Sequence, residues 1–159
     1  MTKKNAVLLT TVLLMIFLVG CGAKHPAVDW TLKISGDVAT PLELSFADLA
    51  TMNQVELNDI LMEKSTGEDE VTSWSGVALD ELFAQAGAPT DYVSITAIAS
   101  DGYSIEVTKE ELTGGIIALK DAGEWIVEVS PDKGPIRMVA PLTPANRWVY
   151  SIMEIQVNQ

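Results

Sequence analysis

Apolar segments in this chain are short, and a turn residue closes nearly every one. WTLKISG, Trp30 to Gly36, alternates apolar and polar residues and stops at Gly36, as a half-buried strand does. Leu42 to Leu44 reads as a second strand after the turn GDVATP. Val55 to Lys64, Val71 to Trp74, Tyr92 to Ser100, Tyr103 to Val107, Ile116 to Lys120, Trp125 to Val129, Pro135 to Pro141 and Arg147 to Val157 continue the series. Asp101-Gly102 is a hairpin signal between two of them. Gly76 is expected to break the strand that holds Trp74.

Helices have little room. Ser45 with Asp48 three residues on predicts a capped helix in FADLATM. Ala78 to Ala86 carries Leu79, Leu82 and Phe83 at helical spacing, with Gly87 to end it and Pro89 beyond. Thr108 with Glu111 predicts a third short capped turn. Many short strands with two or three short helices define an α+β domain with mixed or antiparallel sheets, not a succession of βαβ units. No internal repeat or low-complexity segment suggests a second domain. Ser65 to Glu70 reads as a solvated loop.

The N-terminus reads differently. Lys3 and Lys4 precede an uncharged run from Ala6 to Val19, which then closes on Leu18-Val19-Gly20-Cys21. The run has the length of a signal-peptide core and is short for a bilayer span. Small residues before a cysteine resemble the lipobox of bacterial lipoproteins. Residues 1–20 are therefore expected to be a lipoprotein signal peptide, and 21–29 a lipidated tether. Residues 30–159 are expected to form the domain. Cys21 is the single cysteine. Acylation, with palmitate-type chains, would remove it from disulfide, metal-ligand and nucleophile chemistry. Two or three chains, at about 0.8 kcal/mol per buried CH₂, hold durably. The expected location is the outer face of the cytoplasmic membrane, or the periplasm or outer membrane of a two-membrane cell.

Charge excludes one class of partner. The net charge is −12; losing residues 1–20 removes two of ten basic residues and none of 22 acids, giving −14. Such a chain repels phosphates, so no nucleic acid is expected as a partner. The single histidine, His25, lies in the tether, so no Ser-His-Asp or Cys-His arrangement is available.

The motifs SWSGVALDELFAQAG, ASDGYSIEVTKEEL, GPIRMVAP and RWVYSIMEIQV follow one another from Ser73 to Val157. Together they resemble the sulfite-oxidase-type molybdopterin-binding domain. The shared patterns are W-x-G-V-x-L, A-x-D-G-Y and G-P-x-R-x-V-x-P, and the resemblance extends from Trp30 to Val157. It implies that fold, a pterin whose dithiolene carries molybdenum, and a protein cysteine that adds a sulfur ligand upstream of W-x-G-V. Here that upstream region is LNDILMEKSTGEDEVTSW and holds no cysteine, so thiolate ligation is lacking. A metal is therefore not expected, while molybdopterin or another pterin remains a candidate cofactor.

Six residues are candidates for cofactor binding. Arg137 lies in an apolar strand, where a guanidinium needs solvent, a carboxylate or an anionic ligand. An ion pair and a pterin phosphate are both open readings. Asp101 and Tyr103 form a turn or a site rim. Trp74 and Trp148 are core aromatics or stacking platforms. Arg147 and Trp148, with Asn146, are placed to frame a pocket mouth. No catalytic residue is assigned.

Three functions stay open. The first is a non-catalytic member of the fold that binds a pterin-like or other small ligand. The second is a molybdopterin-dependent oxidoreductase with a cysteine-free metal site. The third is a cofactor-free surface protein that acts through protein contacts.

Overall fold

The computed structural model describes residues 25–159. The expected signal peptide and Cys21 lie outside the described residues. Among those described, no helix is long and apolar enough to cross a membrane.

The strands form two sheets. The first contains β1 (Thr31–Gly36), β2 (Leu42–Ser45), β5 (Ser94–Ala99), β6 (Ser104–Thr108) and β11 (Ile152–Asn158), in the order β2-β1-β11-β5-β6. The second contains β3 (Val55–Met62), β4 (Glu70–Ala78), β7 (Ile116–Asp121), β9 (Arg137–Val139) and β10 (Val149–Tyr150), in the order β10-β9-β7-β4-β3. The two-residue β8 (Glu124–Trp125) pairs with β7. All ladders are antiparallel except β1 with β11. The expected α+β architecture with mixed sheets is present.

Three short α-helices join the strands. Helix α1 (Phe46–Thr51) carries the expected capping box: the Asp48 amide donates to Ser45 Oγ at 3.1 Å, and the Ser45 amide donates to the Asp48 carboxylate at 2.8 Å. Helix α2 (Leu79–Ala86) buries Leu79, Leu82, Phe83 and Ala86. It ends on Gly87 at φ 66°, a left-handed conformation that glycine adopts without cost. The Thr108–Glu111 pair caps a turn rather than an α-helix: the Thr108 amide donates to Glu111 at 2.9 Å. Leu32, Ile34, Phe46, Ile95, Ile117, Leu119 and Met138 are among the fully buried core residues.

Three expectations need correction. Gly76 does not end its strand; β4 runs on to Ala78. A Cβ at Gly76 would lie 1.9 Å from the Ile117 carbonyl oxygen. The glycine permits close approach of β4 and β7 at a bulge between Ser75 and Gly76. Second, Trp125 to Val129 is not a strand. A tight turn with Ala122 at φ 47° and Gly123 at φ 87° leads into β8, and α3 (Ile126–Val129) follows. Its β-branched sequence favours a strand, yet the segment is helical and buries Ile126 in the core. Third, Arg147 to Val157 is not one strand. A 3₁₀ turn covers Ala145–Arg147, and Ser151 at φ 46° bends the chain between β10 and β11. Ser151 Oγ donates to the Gly134 carbonyl at 2.6 Å. The chain crosses there from the second sheet to the first.

Residues 25–29, the described part of the expected tether, have no regular structure but lie against the domain. The His25 ring is 6.4 Å from that of Phe46, and Val28 packs on the core. The Trp30 indole donates to the Ile152 carbonyl at 2.9 Å.

Candidate functional site

One cross-strand row of the second sheet makes the site. Tyr150 of β10 pairs with Arg137 of β9, Arg137 pairs with Ala118 of β7, and Ala118 pairs with Gly76 of β4. Paired residues share a face of a sheet. Arg137 thus has a large ring on one side and small residues on the other. The bulge beside Gly76 shifts the register so that Trp74 stands opposite Asp121.

The result is a cavity of about 610 Å³. Met62, Thr72, Trp74, Asp121, Arg137 and Tyr150 line it, with Lys64, Glu70, Lys133 and Asn146 among the other lining residues.

Arg137 is its central group. The side chain is 2 % exposed. Its guanidinium carbon lies 3.8 Å from the Tyr150 ring centroid, 4.9 Å from Trp148 and 5.0 Å from Trp74. The two tryptophans meet edge to face at 6.1 Å, a favoured geometry. Hydrogen bonds lock both: Trp74 Nε1 donates to Thr72 Oγ1 at 2.8 Å, and Trp148 Nε1 to the Ala140 carbonyl at 2.8 Å. The ring faces stabilise the cation through their quadrupoles.

They do not satisfy its hydrogen bonds. Nη1 has one soft acceptor, Met62 Sδ at 3.8 Å, and the buried Nε has none. No carboxylate forms an ion pair with Arg137 among the described residues. Burial lowers its pKa to about 10, with Tyr150 and Asp121 opposing that shift. Asp121 moves upward through desolvation, which the Arg137 charge partly offsets. Lys64 is engaged by Glu70 at 2.7 Å, and Lys133 Nζ lies 5.5 Å from the Tyr150 centroid.

The structure separates the six candidates. Arg137 and Trp74 line the cavity, and Trp148 supports Arg137 from behind. Asn146 joins the rim. Asp101, Tyr103 and Arg147 line no part of it. Asp101 holds a turn by accepting from the Tyr103 amide at 2.9 Å. The exposed Tyr103 hydroxyl donates to the Asn146 carbonyl at 3.3 Å. Arg147 is drawn away by Glu111 at 2.8 Å and the Glu106 carbonyl at 2.9 Å. The ion-pair reading of Arg137 is replaced by an aromatic cage.

Sequence reasoning missed Met62, Asp121, Lys133 and Tyr150. Lys133 and Tyr150 had a weak signal, since each lies within a few residues of a singled-out arginine. The register that brings Met62 and Asp121 in has no local signature.

The donor set does not fit a molybdenum–pterin centre. The described residues contain no cysteine and no cluster of three metal-ligating side chains. The sulfur on the cavity wall is the Met62 thioether, a neutral group facing a guanidinium. An anionic organic group does fit, because Arg137 has donors to spare.

The fold belongs to a recognised class. A family model described as the oxidoreductase molybdopterin binding domain matches residues 22–159. The chain is a member of that family, which associates the domain with a pterin cofactor. Its backbone is similar to the sulfane dehydrogenase SoxCD from Paracoccus pantotrophus, with a TM-score of 0.73 and 21 % identity. The match covers 86 % of this chain and 40 % of that one, so this chain spans less than half of its neighbour's length.

Proposed function

We propose that this chain is a lipid-anchored, extracytoplasmic member of the family that binds a pterin-like or other small ligand without oxo-transfer catalysis. The observation that carries the ligand reading is Arg137, a buried guanidinium that lines the cavity with no carboxylate partner and with the Met62 sulfur as its one hydrogen-bond acceptor. A fold retains an unsatisfied buried donor at a cost. A ligand acceptor offsets that cost. The missing thiolate supports the absence of oxo-transfer, and the LVGC ending of the apolar run supports the anchor.

Native mass spectrometry of the full chain, isolated in detergent from its membrane, tests both parts. The expected spectrum shows acylation at Cys21 and a small organic adduct that Arg137→Gln loses. An unmodified N-terminus contradicts the anchor. An adduct retained by Arg137→Gln contradicts the site.

A further inference from the structure

The misfit between the cavity and a metal points to the ligand class. We infer that the cavity receives a small monoanion of the carboxylate class directly on the Arg137 guanidinium, which supplies the positive charge in place of a metal. This rests on the reading of the cavity as a ligand site.

Three observations support it. The first is the state of Arg137 itself. A guanidinium has five N–H donors in one plane. Here one meets the Met62 sulfur, Nε meets no acceptor, and the aromatic faces accept none in that plane. A carboxylate is flat, and its two oxygens match the guanidinium fork.

The second is charge. Lys64, Lys133 and Arg137 line the cavity together with Glu70 and Asp121, and Lys64 pairs with Glu70 at 2.7 Å. The sum is one positive charge, inside a chain whose net charge is −12. A monoanion neutralises the cavity, whereas a dianion leaves excess negative charge in an already acidic protein. The third is the wall. Trp74, Tyr150 and Ile126 offer apolar surface beside the cation, which suits a flat body attached to the carboxylate.

The test uses the full chain in detergent and calorimetric titration with benzoate, its neutral isostere benzamide, unsubstituted pterin, inorganic phosphate and molybdate. Benzoate is expected to bind saturably, with benzamide at least tenfold weaker. Arg137→Gln is expected to weaken benzoate at least tenfold. Lys133→Gln, on the rim, is expected to weaken it less, and it preserves the test if Arg137→Gln fails to fold. Equal binding of benzamide and benzoate overturns the inference and leaves the ligand site standing. Pterin binding without benzoate binding does the same. Tighter binding of inorganic phosphate or molybdate than of benzoate overturns the carboxylate class. If none of these compounds binds, the inference and the ligand-site reading fall together.

Discussion

Arg137 and Tyr150 are cross-strand partners on β9 and β10, with the guanidinium carbon 3.8 Å from the ring centroid. The contact places a cation inside the fold without a carboxylate to neutralise it. That has a measurable consequence for stability.

Arg137→Met is expected to be as stable as wild type, or more stable by up to about 2 kcal/mol. Replacing a buried charge with an apolar side chain of similar length removes its desolvation cost and an unsatisfied donor. The lost cation–π attraction, about 2 kcal/mol or more for a desolvated cation, works against that gain. Urea denaturation of ligand-free protein measures the balance. A loss of stability would make Arg137 a structural residue.

Thr72→Val is expected to destabilise by about 1–3 kcal/mol, because it leaves the buried Trp74 Nε1 without its acceptor. The same variant loosens the Trp74 ring against Arg137, so affinity for the proposed ligand is expected to fall with stability. Thr72→Ser, which keeps the hydroxyl, is expected to retain most of both.

These side chains also show how far the sequence was legible. Ser45 with Asp48, and Gly87 after the Leu82–Phe83 stripe, act within a few residues, and the helices they delimit were readable. Arg137 stood out because a charge inside PIRMVAP demands a partner. What surrounds it did not. Tyr150 reaches Arg137 through strand pairing, and Met62 arrives from 75 residues away. Gly76 misled for a related reason: its role is set by the Ile117 carbonyl on another strand, not by its own backbone preference. Asp101-Gly102-Tyr103 is readable as a turn or as a site rim; the structure shows the turn, with neither Asp101 nor Tyr103 lining the cavity and the Tyr103 hydroxyl bonded to the Asn146 carbonyl.

Gly76→Ala tests that close approach. The added Cβ would fall 1.9 Å from backbone oxygen, so β4 and β7 must separate. The expected cost is about 3 kcal/mol or more, or failure to fold. Circular dichroism melting checks it, and a wild-type melt would mean that the strands are not so close.

Glu111 gives a pH prediction. The Thr108 backbone hydrogen bond, followed by Arg147, holds its folded-state pKa below the ordinary value of 4.5. Unfolding therefore takes up protons. The stabilisation is present above about pH 4.5 and is lost as pH falls through the depressed folded value. Glu111→Gln is expected to lower stability at pH 7 and to match wild type in strong acid. A constant difference across that range would contradict the assignment.

The proposed ligand site of this molybdopterin-binding fold works without a metal. Its most direct test is combined metal and pterin analysis of the full chain, purified without air from a host that makes molybdopterin. The expected result is an organic ligand with molybdenum and tungsten far below one atom per chain. Stoichiometric molybdenum or tungsten together with pterin would contradict it and establish a metal centre held without a protein thiolate.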